Sequence, residues 1–134
     1  MIGAAAIPAA VLAMTFAAPA ASAQPAAPPQ PCDDPFCTPG ITPGVVLGAP
    51  CTDTSHYVFG TTADGRMVFC GSPRRYAPRY FRTTPMVGVK ELGAPCVTEE
   101  AKMAQAPDGL FLFCQAINGQ VVWVPGDQAL PGAQ

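Results

Sequence analysis

One five-residue stretch occurs twice in the chain, as L-G-A-P-C at 47–51 and again at 92–96. The first copy is followed by D-G-R-M-V-F-C at 64–70, and the second by D-G-L-F-L-F-C at 108–114. The offsets between copies are 45 and 44 positions. Self-similarity at a fixed spacing is the sequence signature of a repeated structural unit. We therefore predict an internal duplication, with repeat unit 1 over 47–88 and repeat unit 2 over 89–126.

The six cysteines predict a disulfide framework, because an even number in a short exported chain is typical of disulfide-stabilised domains. If each unit closes on itself, Cys51 bonds Cys70, Cys96 bonds Cys114, and Cys32 and Cys37 are left for each other. A swap in which Cys32 or Cys37 reaches into a repeat is the alternative. A zinc site is disfavoured, because the chain has one histidine and no C-x-x-C pair. We expect no metal and no cofactor.

Each unit carries strand and hairpin signals. Asp64-Gly65 lies between two β-prone runs, and Asn118-Gly119 lies between the apolar runs 110–117 and 120–125, which is the strongest hairpin signal in the chain. Apolar residues on both faces of 110–114 require cover on both sides. The run 99–105 is a strand or a helical turn, and propensity favours the turn. We predict a mainly β fold of two disulfide-stapled hairpin or three-stranded units, packed as one small pseudo-symmetric domain.

The N-terminal segments predict export. Residues 1–23 carry no charge, hold an apolar stretch at 9–18 and end in Ala21-Ser22-Ala23, which indicates a signal peptide cleaved after Ala23. A membrane anchor is disfavoured, because the stretch is mostly alanine and is interrupted by proline. Residues 24–46 are predicted to be a proline-rich extended arm, and 127–134 a flexible tail. We expect a secreted or cell-wall-associated protein with no membrane span after cleavage.

Length and charge exclude several function classes. The 134 residues suffice for one domain, and the net charge of −2 provides no global field toward nucleic acid, which we do not expect as a partner. Positive charge is nevertheless concentrated, because 66–90 holds six of the seven Lys and Arg residues and no acid.

The densest basic segment, 74–82, interleaves arginine with aromatic residues. Such a segment can stack on sugars and pair with phosphate or carboxylate groups. A solvated loop is the competing interpretation, in which Tyr80 and Phe81 fill the core where Trp123 lies in unit 2. The candidate binding residues are Arg74, Arg75, Tyr76, Arg79, Tyr80 and Arg82.

No catalytic residue is predicted. His56 is the only imidazole, and its neighbour Ser55 cannot give a triad by adjacency alone. The acidic pairs at 33–34 and 99–100 are adjacent, so on a strand their side chains would point to opposite faces. We do not expect an enzyme.

The repeated pattern of L-G-x-P-C, an aromatic strand, D-G and a strand ending in cysteine resembles small exported proteins of mycobacteria and related actinobacteria. The resemblance covers about 47–126 and implies an exported, small fold without an assigned activity. We expect a secreted, non-enzymatic interaction or structural module whose partner is an anionic component of the cell envelope or a protein. The alternative is a small secreted inhibitor or effector that binds a protein through a disulfide-framed loop such as 71–85.

Overall fold

The computed structural model describes residues 1–20, 25, 30–72 and 76–128. Residues 1–20 form neither helix nor strand. The expected cleavage site at 21–23, Arg74, Arg75 and the tail from 129 lie outside the described residues. In the part of the chain that is described, no helix has the length and apolar character to cross a membrane.

Eight strands form two four-stranded sheets, so the predicted mainly β fold with three disulfides is confirmed. The strands of sheet 1 are β1 (Thr42–Pro43), β2 (Phe59–Thr61), β3 (Met67–Gly71) and β4 (Arg79–Arg82). Those of sheet 2 are β5 (Met86–Val89), β6 (Met103–Gln105), β7 (Phe111–Ile117) and β8 (Gln120–Pro125). Short 3-10 turns lie at Pro35–Cys37 and Gly126–Gln128.

The sheets match in topology. Their strand orders are β1-β2-β3-β4 and β5-β6-β7-β8, with the first pair parallel and the other pairs antiparallel in each. Each sheet therefore has one strand more than the three predicted. The extra strands, β1 and β5, pair in parallel across long connections and leave no hairpin signal in the sequence. Strand β1 lies within the segment expected to be an extended arm.

The L-G-A-P-C turns occupy the same place in both sheets. In sheet 1 the Gly48 amide donates to the Tyr80 carbonyl at 2.8 Å, and in sheet 2 the Gly93 amide donates to the Trp123 carbonyl at 2.8 Å. Each turn thus covers the free edge of the last strand, which limits edge-to-edge association. Because their bonds match, Tyr80 holds in sheet 1 the position that Trp123 holds in sheet 2.

The disulfides join Cys51 to Cys70, Cys96 to Cys114 and Cys32 to Cys37, with Cα separations of 5.9, 6.1 and 5.7 Å. This is the pairing in which each unit closes on itself, and the alternative swap is absent. The Cys51–Cys70 and Cys96–Cys114 disulfides each tie an L-G-A-P-C turn to the third strand of the same sheet. Because they close loops of 19 and 18 residues, each lowers the entropy of the unfolded chain and so stabilises the folded state by about 3 kcal/mol.

The main core lies between the sheets. Phe59 of β2 meets Phe111 of β7 edge-on at 5.7 Å, and Phe69 of β3 stacks on Phe111 at 5.7 Å. A second cluster on the other face of sheet 2 surrounds Trp123, which is 1% exposed. Strand β7 is therefore covered on both faces, as its sequence predicted.

The chain before β1 folds against sheet 2. The Cys32 carbonyl accepts from the Val89 amide at 2.8 Å, and the Gln105 side-chain amide donates to the Pro39 carbonyl at 2.9 Å. Gln105 is 0% exposed. Part of the segment expected to be an extended arm thus covers the outer edge of β5.

The preference for a helical turn over 99–105 was wrong for Met103–Gln105, which forms β6. Met103 pairs with Met86 on one side and with Phe113 on the other. Two neighbouring strands override the weak local helix propensity of this run.

Candidate binding surface on the last strand of sheet 1

Strand β4 carries the described end of the basic segment. One edge of β4 pairs with β3, where Val68 is opposite Arg82 and Cys70 is opposite Tyr80. Arg79 and Arg82 are exposed, whereas Tyr80 and Phe81 are half-buried. A paired and disulfide-tied strand therefore presents two arginine side chains to solvent.

Neither arginine is neutralised by a described acidic side chain. The ion pairs among the described residues join Arg66 to Asp64 at 3.0 Å, and Lys90 to Asp33 at 2.5 Å and to Glu99 at 3.9 Å. Arg79 instead donates through Nη1 to the Gly48 carbonyl at 2.9 Å. This bond holds the Arg79 side chain along the L-G-A-P-C turn, and no acidic side chain among the described residues pairs with its charge.

The other predicted residues separate into two groups. Tyr76 is 71% exposed, and the Ser72 hydroxyl donates to its carbonyl. Tyr80 packs against the main core instead, as the solvated-loop interpretation expected. Arg74 and Arg75 lie outside the described residues. The exposed described residues of the predicted basic segment are thus Tyr76, Arg79 and Arg82, whereas Tyr80 is half-buried.

An aromatic cleft of about 510 Å³ opens between the two sheets next to Arg82. Its walls are the rings of Phe69 and Phe81 from sheet 1 and of Phe111 and Phe113 from sheet 2, with Met103 beside them. Thr54, Ser72, Thr84 and Asp127 supply polar groups. The sequence interpretation did not find this cleft, because its phenylalanines carry the pattern of core residues and are brought together only by the contact between the sheets.

The His56 region connects the sheets. The Asp53 carboxylate accepts from the Ser55 amide at 2.8 Å and from the His56 amide at 3.0 Å, and these bonds hold the pKa of Asp53 below its usual value. The Ser55 hydroxyl donates to the same carboxylate oxygen, and the His56 backbone bridges to Leu110 of unit 2. This segment is thus a turn that attaches sheet 1 to sheet 2.

A second exposed feature lies on the loop closed by Cys32 and Cys37. Phe36 is 99% exposed at its tip, while its amide donates to the Asp34 carboxylate at 2.8 Å. The disulfide and the 3-10 turn fix the loop, so the phenyl ring stands on a stiff support.

The chain was compared with protein-family models, curated proteins and solved structures, and none of them matches it.

Proposed function

We propose that this protein is a secreted, non-enzymatic interaction module of the cell envelope or extracellular space, and that it binds an anionic envelope component through the basic surface of 74–82. The observation that carries the proposal is the pair of exposed arginines, Arg79 and Arg82, without a described carboxylate partner. An unpaired guanidinium on a fixed strand can bind phosphate or carboxylate without first breaking an internal ion pair.

Export is the second part of the proposal. Three disulfides are consistent with an oxidising extracellular environment. Under this proposal, residues 1–23 are a signal peptide, the two matching sheets arose by duplication of one exported unit, and the chain remains at or outside the cell surface.

The spacing of the arginines favours an extended ligand. Arg79 and Arg82 are three positions apart on one strand, a distance of about 10 Å between their Cα atoms at the usual rise per residue. Because side chains alternate along a strand, positions three apart point to opposite faces, so one small anion cannot bridge both arginines and a ligand that contacts both must be extended. The exposed ring of Tyr76 offers a face for a sugar.

The test is salt-dependent retention on isolated envelope material. We expect the oxidised protein to sediment with the envelope fraction and to elute as salt rises, because exposed charges are screened within about 8 to 10 Å in ordinary buffer. The variant with Arg74, Arg75, Arg79 and Arg82 all changed to serine should remain in the supernatant. Arg66→Ser is the matched control, since Arg66 pairs with Asp64 and should leave retention unchanged. Equal retention of the quadruple variant and the control would overturn the proposal.

The exposed Phe36 favours a second candidate function, a secreted inhibitor or effector that binds a protein target. An aromatic anchor that fills a pocket of the partner can dominate the binding energy of an interface, and a disulfide lowers the cost of ordering the loop that carries it. This loop, 32–37, is closed by its own disulfide, whereas 71–85 is not. Under this function the protein would stay in the culture filtrate and form a stoichiometric complex with one protein.

The test compares two variants in that complex. Phe36→Ala should abolish the complex, and the quadruple arginine variant should retain it. A complex that survives Phe36→Ala but is lost in the arginine variant would reject the 32–37 loop as the contact.

A further inference from the structure

We infer that the cleft between the sheets is a binding site for an amphipathic anion, whose apolar body lies among the phenylalanine rings and whose acidic head pairs with Arg82. The inference deepens the proposed function by naming a ligand class for the same surface, and it rests on Arg82 being free to bind an anion. A carboxylate attached to a linear or a flat apolar body has the required chemistry.

The aromatic walls supply the apolar part of the site. Phe69 and Phe81, whose ring centroids are 6.2 Å apart, are only half-buried, although Phe69 also stacks on Phe111 of the opposite sheet at 5.7 Å. The apolar surface of these rings that remains in water is a driving force for binding an apolar group. The cleft volume of about 510 Å³ falls in the range of small-molecule sites.

Two glycines shape the walls. A Cβ atom on Gly126 would lie 2.2 Å from the ring of Phe111, and one on Gly71 would lie 2.6 Å from the ring of Phe69. The backbone therefore lies directly against these rings and leaves no side chain of its own at those two points. Gly71 directly follows Cys70 in sheet 1, and the matching residue after Cys114 in sheet 2 is Gln115. The glycine at this position therefore occurs only in sheet 1, where it lines the cleft.

A buried hydroxyl marks the polar end. The Thr84 Oγ1 atom is shielded from solvent and has no hydrogen-bond partner among the described residues. Because buried polar atoms are nearly always paired, the Thr84 side chain gains a hydrogen bond if it turns toward a ligand in the cleft. Arg82 lines the same cleft and supplies the nearby positive charge.

The anionic head of the ligand follows from the proposed function, because the charged residues that line the cleft, Arg82 and Asp127, are of opposite sign. These two residues form no ion pair with each other within 4.0 Å. Arg82 should therefore raise the affinity for an anionic ligand by attraction, and Asp127 should lower it by repulsion. Substitutions at these two residues should change the affinity in opposite directions.

The experiment is calorimetric titration of the full, oxidised chain with decanoate and with 2-naphthoate, a linear and a flat carboxylate. We expect at least one probe to bind, Arg82→Gln to weaken binding about tenfold, and Asp127→Asn to strengthen it severalfold. Arg66→Gln is the control, because Arg66 pairs with Asp64 and does not line the cleft, and the affinity of this variant should be unchanged. Which probe binds more tightly decides between a linear and a flat ligand.

The role of Thr84 separates binding from folding. Thr84→Val removes the unpaired hydroxyl, so it should raise the melting temperature of the free protein while it weakens probe binding. Weaker binding with a lowered melting temperature would show a general packing defect and would remove Thr84 from the site.

A variant in which a large side chain fills the cleft separates a failure of this inference from a failure of the proposed function. Thr54→Trp places a large ring in the cleft and should abolish probe binding while salt-sensitive retention on envelope material persists. If neither probe binds the unmodified chain, or if Arg82→Gln and Arg66→Gln bind equally, the cleft inference is overturned. Envelope retention would then still test the proposed function by itself.

Discussion

Sheet 1 and sheet 2 share strand order, a bridging disulfide and the L-G-A-P-C turn, yet they use this scaffold differently. Sheet 2 places Trp123 at the position opposite its cystine and buries it, whereas sheet 1 places Tyr80 there and leaves it half-buried. Sheet 2 has apolar cover on both faces of β7, and sheet 1 exposes two arginines on β4. We infer that sheet 2 contributes most of the buried packing, and that sheet 1 carries the exposed basic side chains that are available for binding.

The difference arises in one connection. Strands β7 and β8 are joined by the two-residue turn Asn118-Gly119, in which both residues have positive φ values of 50° and 80°. The matching connection in sheet 1 runs over 72–78 between Gly71 and Arg79 and carries Arg74 and Arg75. A tight turn extends the paired strands, whereas a longer loop can vary without disturbing the sheet it joins. The longer loop therefore adds charge to sheet 1 at little cost to the pairing of its strands.

The largest expected effect compares the two matched aromatic positions. Trp123→Ala removes a fully buried ring and should lower the free energy of unfolding by about 3 to 5 kcal/mol. Tyr80→Ala removes a half-buried ring and should lower it by roughly 1 to 2 kcal/mol, because less apolar area leaves the core. Urea unfolding of the oxidised variants measures both values. Equal losses would contradict the assignment of sheet 2 as the better-packed half.

A smaller effect compares the two D-G turns. Gly109 has φ 88°, and a Cβ atom there would lie 2.4 Å from the ring of Tyr57, whereas Gly65 has φ 82° and open space around it. Both glycine-to-alanine changes force an L-residue into a left-handed conformation, at a cost of about 1 kcal/mol. Gly109→Ala adds a clash with Tyr57, so its total loss should be about 2 to 3 kcal/mol.

The same pair of variants measures the contact between sheets. The Gly109 carbonyl also accepts from the Tyr57 amide at 2.7 Å, which makes this turn a direct link from unit 2 to unit 1. Thermal unfolding of Gly109→Ala beside Gly65→Ala measures what the contact between Gly109 and the Tyr57 ring adds at this link. Indistinguishable melting temperatures would mean that the Tyr57 ring moves aside freely and that its packing on the turn adds little stability.

Local and repeated signals allowed much of the fold to be predicted from the sequence. The matched D-G-x-x-x-F-C stretches predicted that each unit closes its own disulfide, as it does. The Asn118-Gly119 turn was predictable because both positions need positive φ, which these two residue types tolerate best. The aromatic position in 74–82 was matched to Trp123 by its spacing from the preceding cysteine.

Features that depend on distant partners were not predictable. Strand β1 has only two residues, one of them proline, and Gly88 interrupts β5 with φ 97°. Neither stretch looks like a strand until its parallel neighbour is present. The place of Cys32 against Val89 likewise depends on a backbone bond across the chain. The cleft beside Arg82 exists only because two sheets meet, so no local pattern encodes it.

The smallest expected effect concerns a turn that differs between the two units. Asp53 follows Cys51 by two positions, and Thr98 stands two positions after Cys96. The amides of Ser55 and His56 hold the pKa of Asp53 below its ordinary value, so the charged carboxylate stabilises the folded chain. This contribution is complete above the ordinary aspartate range of about pH 4 and is lost as the pH falls through the lower pKa of the folded state.

Asp53→Asn keeps an oxygen that can accept both bonds but removes the titration, so it should flatten the acid limb of the stability curve. Because Asp53 is largely exposed, the difference from the unmodified chain should be only a few tenths of a kcal/mol at pH 7 and should vanish once the pH is below the pKa of Asp53 in the folded state. Urea unfolding at several pH values measures it, with Asp53→Ala as the variant that loses the bonds at every pH. An acid limb of unchanged slope in Asp53→Asn would show that the turn in unit 1 is held by the connection of His56 to Leu110 and not by the Asp53 charge.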